Sequence, residues 1–370
     1  MLLTFFLVTF CSFAISVILV RFKSWHARYS SDSDLCGVQK FHARPVPRIG
    51  GVAIFAGMAL GAWMMLKEQG NPFGRILLVV ALPAFCSGLV EDLTKRVGAR
   101  ARLFATFFAA LLGFIFLQAG LYRLDIPFID YILQRYWLFS AILTMVTVGG
   151  VAHSINIIDG YNGLSSMVCV LVLAAIGYVA FKVNDYSLVW MALVSCGAVL
   201  GFWLVNYPLG WMFLGDGGAY LVGFVIAELS VLLVLRNHAV SAWYPLLLMI
   251  YPVFETLFSI YRRKFLQRRA VGQPDALHLH SIVYQRLVRW MVGSKEAKHI
   301  IRRNSMTAPY LWALATLSVA PAMLFWRDTY VLMACTAVFV GIYVFLYRMI
   351  IRFKSPSWLV VRKDINNSRR

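Results

Sequence analysis

Long apolar runs, rather than alternating faces, set the pattern of this chain. They lie near residues 2–20, 48–66, 72–90, 103–121, 136–153, 164–181, 187–205, 217–235, 242–261, 309–326 and 330–350. Roughly 17–25 such residues let a helix cross hydrocarbon, and in lipid a single run can satisfy its own peptide groups only as a helix. The pattern predicts an all-α, polytopic transmembrane bundle of about eleven helices, forming one domain over 1–350, with a basic tail at 351–370. The runs after 48 and 217 are interrupted by glycine. No basic stretch precedes the first run and no small-residue cleavage site precedes Arg21, so it reads as an uncleaved span.

Composition agrees with a lipid environment: 61% of residues are hydrophobic and 14% charged, far from the usage of soluble domains. Charge supplies the orientation. Segments 21–49, 91–102, 262–308 and 348–370 hold 28 of the 35 Lys and Arg residues. Cytoplasmic loops carry such an excess, so these segments, with 154–163 and 206–216, are expected to face the cytoplasm. The N-terminus is then outside and the C-terminus cytoplasmic. The net charge of +19 is this topogenic signal, attractive to anionic headgroups, and does not point to nucleic acid. The six cysteines show no metal or redox spacing.

Against that basic background, two short loops assigned to the cytoplasm contain no Lys or Arg. One is N156-I-I-D-G-Y-N-G-L164; the other runs from Asn206 through F213-L-G-D-G-G218. Glycine and asparagine are turn formers, but a carboxylate held against a membrane usually marks a site. Glu91 and Asp92 close a third helix end. Glu91, Asp92, Asp159 and Asp216 thus come from three termini on one face. Hard cations such as Mg²⁺ take oxygen ligands, commonly one or two carboxylates plus substrate phosphates, so the pattern fits a metal–diphosphate site.

An anionic substrate also needs cations. In K40-F-H-A-R-P-V-P-R-I-G-G51 two prolines stiffen an extended stretch presenting His42, Arg44 and Arg48 before a helix start, and such arginines grip phosphate oxygens. The long basic loop 262–308 offers Arg262 and Arg263, then D275-A-L-H-L-H280, whose His278 and His280 share one side of an extended segment. Phosphate contact suits this pair better than zinc, since no cysteine or third histidine lies near. Val283, Leu287 and Met291 at four-residue spacing predict a short interfacial helix. Glu255 falls near the cytoplasmic end of its span, as a partner for an arginine or histidine. Glu228 lies deeper, with no role assigned.

These five motifs, in this order and spacing, resemble the polyprenyl-phosphate N-acetylhexosamine-1-phosphate transferases, in particular the bacterial undecaprenyl-phosphate N-acetylglucosamine-1-phosphate transferases. The resemblance covers the chain through residue 308. It implies Mg²⁺, with Mn²⁺ as an alternative, a UDP-N-acetylhexosamine from the cytoplasm, undecaprenyl phosphate from the bilayer, and UMP as leaving group. A homodimer is a candidate assembly, and O-antigen or other lipopolysaccharide synthesis a candidate pathway. In this frame Asp216 and Asp92 are expected as metal ligands and Asp92, Asp159 and Glu91 as catalytic. His42, Arg44, Arg48, Asn156, Asn162, Asn206, Gly215, Arg262, Arg263, His278 and His280 are expected to bind substrate. Two departures stand out: Glu91-Asp92 replaces the family's aspartate pair, and Ser281 replaces a further histidine. The alternative reading is a membrane transporter of an anionic solute, which Glu228 favours; transporters, however, place such groups near the midplane, often in repeated halves.

Overall fold

The computed structural model describes residues 1–32, 45–268, 277–288 and 297–352. In chain order its helices are α1 (Leu2–Arg21), α2 (Lys23–Ser30), α3 (Gly50–Gln69), α4 (Phe73–Thr94), α5 (Ala99–Phe116), α6 (Pro127–Arg135), α7 (Trp137–Ile158) and α8 (Leu164–Lys182). There follow α9 (Tyr186–Asn206), α10 (Gly215–Arg236), α11 (Trp243–Leu248), α12 (Ile250–Tyr261), α13 (Leu279–Ile282), α14 (Ala297–Leu324) and α15 (Thr329–Ile351). Arg262–Leu266 and Val283–Val288 continue α12 and α13 as π-helical turns. A two-residue antiparallel pair joins β1 (Ser31–Asp32) to β2 (Val46–Pro47).

Ten helices among the described residues, α1, α3, α4, α5, α7, α8, α9, α10, α14 and α15, are long and apolar enough to cross a membrane. The expected span over 242–261 differs: it is two shorter helices meeting at Met249. Pro252 gives the reason. Its ring crowds the carbonyl four residues earlier and it has no N–H to donate, which favours a break at Met249, although α4 and α14 carry Pro83, Pro309 and Pro321 without one. The expected helix over 282–292 also differs where it is described. Val283, Tyr284, Leu287 and Val288 are buried rather than facing lipid, and the Arg286 guanidinium donates to the carbonyls of Ile350 and Ile351.

Helix α10 is the axis. Every residue from Gly215 to Val234 is buried, as expected of a helix that is apolar on all sides, and it packs against α3, α4, α5, α7, α8 and α9. Helix α1 shows the opposite arrangement. Only Thr4, Val8, Ser12 and Ser16 are buried, a stripe at four-residue spacing that faces protein while phenylalanine and leucine face outward. Ser12 donates to the Ala198 carbonyl at 2.7 Å, and a Cβ on Gly201 would lie 2.3 Å from the Thr9 carbonyl. Small residues allow such close helix contact in membranes, where apolar burial supplies no drive between helices.

The up-and-down course brings the start of α3, end of α4, start of α5, end of α7, start of α8, end of α9, start of α10 and end of α12 to one end of the bundle. The other end is locked separately. Arg123 donates to the carbonyls of His238 and Val240, and Asp125 accepts from Ser241, Ala242 and Thr329.

Two glycines decide how closely the site end closes. A Cβ on Gly51 would lie 2.4 Å from the Gly218 nitrogen, and one on Gly88 2.5 Å from the Gly217 nitrogen. Both obstacles are backbone and cannot rotate away. Gly51→Ala is therefore expected to destabilise the fold by about 1–3 kcal/mol, the usual cost of overpacking, read as a lower melting temperature in detergent. Gly150→Ala, whose Cβ would meet nothing within 4 Å, is the control and should melt like the unaltered protein.

Candidate active site

The site is assembled by backbone pairing between the Arg48 and Asp216 motifs. The Phe213 N–H donates to the Pro47 carbonyl at 2.9 Å, Gly50 N–H to the Phe213 carbonyl at 3.0 Å, and Gly51 N–H to the Leu214 carbonyl at 3.0 Å. Arg48 N–H is itself held by the Ser30 carbonyl at 2.9 Å. Gly215 has φ +76, and a side chain there would strike the Arg48 carbonyl and the Asp92 carboxylate. Gly215, expected to contact substrate, is thus required by the turn that opens α10.

Asp216 stands in the first turn of α10, 7% exposed, and three side chains converge on it. Its Oδ1 accepts from Arg48 Nη2 at 3.2 Å and Asn156 Nδ2 at 2.9 Å, while its Oδ2 pairs with the Arg102 guanidinium. Arg102 also lies 6.0 Å from the Tyr220 ring centre. Sequence reading counted Arg102 only as a topogenic charge. The signal that could have singled it out is its register: on a helix starting at Ala99 it shares a stripe with Thr106, Ala109 and Gly113, all buried, so this arginine faces the bundle.

Asp92 has another task than the one expected. It is 1% exposed, and its two oxygens accept from the N–H groups of Asp216 and Gly217 at 3.0 and 2.9 Å. That makes it the cap of α10, supplied from a different helix, satisfying two of the donors a helix start leaves open. Arg48 Nε lies 3.7 Å away. Glu91, expected as catalytic, turns to the Val97 N–H at 2.7 Å and closes the turn after α4.

The asparagines divide similarly. Asn156 reaches Asp216, but Asn162 Nδ2 donates to the Pro208 carbonyl at 3.2 Å and to the Ser305 hydroxyl at 3.4 Å. Asn206 accepts from Gly163 N–H at 2.5 Å and donates to the Met212 carbonyl at 2.7 Å. These two, expected to bind substrate, fasten the 159–163 and 206–214 loops to each other and to α14.

Asp159 follows α7 directly and accepts from the Ser165 hydroxyl. Burial pushes its carboxyl up to about 6, against the opposing pull of that hydroxyl and of Arg48. Because the folded value is raised, its share of stability is whole below the usual carboxylate range and is lost as pH rises through about 6. Asp159→Asn should flatten the fall in melting temperature over that interval; an unchanged pH profile would show that this carboxyl does not titrate there.

His278 and His280 are buried, at 7% and 3% exposure. Their rings stack at 5.1 Å and 11°, and His280 meets Tyr161 edge to face at 5.5 Å. The pair therefore packs on the Asp159 loop, as one face requires. Arg262, expected to contact substrate, instead donates to the Leu277 carbonyl and the Tyr347 hydroxyl, with Arg263 buried beside it. His42 and Arg44 lie outside the described residues, as does the tail beyond 352. Glu228 is twelve residues further along α10 than Asp216, about 18 Å at helical rise. It is fully buried against Gly113, with no hydrogen-bond partner among the described residues.

Residues 75–234, from α4 through α10, match the family model described as glycosyl transferase family 4. This stretch contains Asp92, Arg102, Asn156, Asp159 and Asp216. These matches support a place in the polyprenyl-phosphate hexosamine-1-phosphate transferase superfamily. It is 26% identical over 250 residues, 65% of this chain and 66% of the relative, to a probable undecaprenyl-phosphate N-acetylglucosaminyl 1-phosphate transferase of Bacillus subtilis. With the undecaprenyl-phosphate alpha-N-acetylglucosaminyl 1-phosphate transferase of Thermotoga maritima it shares 25% over 280 residues, 75% and 81% of the two chains. A phospho-N-acetylmuramoyl-pentapeptide-transferase of Bacillus cytotoxicus is 27% identical over 199 residues, covering 50% of this chain and 61% of that one. The family model, over 75–234, stops short of Arg48 on one side and of the His278–His280 turn on the other.

Proposed function

We propose that the protein transfers N-acetylglucosamine-1-phosphate from UDP-N-acetylglucosamine to undecaprenyl phosphate at the cytoplasmic face of the bacterial inner membrane. A lipid phosphate oxygen bonds to the phosphorus that carries the sugar, the phosphoanhydride to the uridine side breaks, and UMP leaves with the electron pair. One anhydride replaces another. Such chemistry needs positioning and charge neutralisation more than a covalent helper. The observation that carries the reading is the convergence of Arg48, Arg102 and Asn156 on Asp216 at the mouth of a capped helix, in a chain whose relatives bear the names given above.

The donor set suits a hard cation. Asp216 offers two oxygens and Asn156 an amide oxygen after reorientation, while no three acidic or histidine side chains cluster for a metal among the described residues. That is the composition of a Mg²⁺ site completed by substrate phosphates. Asp216 would hold the ion, with Asn156 beside it; the ion supplies neutralisation of the diphosphate charge. With Asp216 engaged by an ion, Arg48 and Arg102 would be free to take phosphate oxygens. Asp92 keeps α10 and its Asp216 in place rather than serving as ligand.

Purified protein given undecaprenyl phosphate, Mg²⁺ and a panel of UDP-sugars should release UMP with UDP-N-acetylglucosamine, and only when lipid is present. Absence of UMP with every sugar would overturn the assignment. Orientation is tested in the same preparation of cells. In a cysteine-free background, Tyr330→Cys at the 87% exposed start of α15 should label from outside and Arg96→Cys only after the membrane is opened. The reverse result would place the site on the wrong side for a cytoplasmic nucleotide sugar.

A further inference from the structure

Glu255 is as deeply buried as Asp92, at 1% exposure, and unlike Glu228 it is fully engaged. Its Oε1 accepts from His278 Nδ1 at 3.1 Å and from the Leu279 N–H at 2.8 Å. Its Oε2 accepts from the Tyr343 hydroxyl at 2.8 Å. Four elements thus meet on one carboxylate: α12, the turn before α13, α13 itself and α15. The turn is held a second time through its Leu277 carbonyl, which accepts from Arg262 and, at 3.2 Å, from the Tyr347 hydroxyl.

Packing alone does not require an acid here. An apolar side chain would fill the same volume without the cost of burying a carboxylate. What the carboxylate adds is a choice of tautomer. A carboxylate accepts only, so the Nδ1 it meets must carry hydrogen, and the partner of one ring nitrogen fixes what the other can do. The constraint does not stop at His278. Its ring lies parallel to that of His280, and His280 Nε2 is 3.4 Å from where a Cβ of Gly160 would stand, next to Asp159.

We propose that Glu255 is a positioning residue for the transfer reaction, holding His278 with hydrogen on Nδ1 and, through the stacked pair, setting His280 against the Asp159 loop at the site end of the bundle. This rests on the function proposed above, but part of its test does not. Protein labelled with ¹⁵N in its histidine rings should give, for the signal that disappears in His278→Ala, the shifts of an Nδ1-protonated ring. Glu255→Gln should move that signal. A wild-type ring protonated only on Nε2 overturns the proposal whatever the enzyme does.

In the turnover assay Glu255→Gln should lower kcat by roughly 10–100-fold, the scale seen when a histidine loses its carboxylate partner, and Glu255→Asp should recover part of the loss. Added to His278→Ala, Glu255→Gln should cost nothing more, since the two act as one unit. Losses that multiply, or a Glu255→Asp no better than Glu255→Gln, would make Glu255 a structural residue and end the proposal. If wild-type protein releases no UMP from any sugar, the functional reading fails while the ring measurement still stands.

Discussion

Asp216→Asn is expected to fold and to lose turnover by roughly 10³-fold or more, the several kcal/mol a catalytic metal contributes. Folding should survive because asparagine keeps an oxygen for Arg48 and Asn156, and Arg102, which loses its ion pair, has a side chain 16% exposed and can turn toward solvent. Activity should not survive, because an amide neither offsets two nearby guanidinium groups nor competes for Mg²⁺. The check is UMP release across a Mg²⁺ series beside a melting curve. Near-normal turnover at low Mg²⁺ would remove Asp216 as the ion's ligand, and a collapsed melting curve would show that its role is structural.

Asp92→Asn should behave differently although the chemical change is the same. The Asp92 carboxylate accepts from two N–H groups at once, and asparagine has one oxygen and an NH₂ that would face the second donor. A buried N–H left unpaired costs about 1–3 kcal/mol, so this variant should melt lower as well as lose activity, by roughly 10²–10³-fold if Asp216 is displaced from its donors. Asp92→Asn with unaltered melting and abolished turnover would instead return Asp92 to the role of base or ligand. The contrast between the two variants separates holding the helix from doing the chemistry.

Much of the molecule could be read in advance because lipid leaves the chain few options. A run of about twenty apolar residues must be a helix, and ten of the expected spans are single helices, although α14 starts at Ala297 rather than near 309. The exception, over 242–261, carried its own warning in Pro252. The gathering of Asp92, Asp159 and Asp216 at one end followed from counting helices, since alternate ends must share a face.

Which of those polar residues face the substrate was decided elsewhere. Spacing cannot distinguish a carboxylate that caps a helix from one that stands open beside it, because the cap is formed between α4 and α10, 124 residues apart. Asn162, Asn206 and Arg262 look like ligands in the sequence and are loop fasteners in the fold, since a buried loop at a membrane face must satisfy its own peptide groups first. Arg102 looked like one more positive charge on the inner side, and only the rotation of α5 turns it onto Asp216. The apolar pattern dictated ten single spans, their order and the kinds of chemistry present at one face. Tertiary structure assigned each polar group its partner, because hydrogen bonds in the buried site form between helices distant in sequence and depend on helix rotation that no periodicity records.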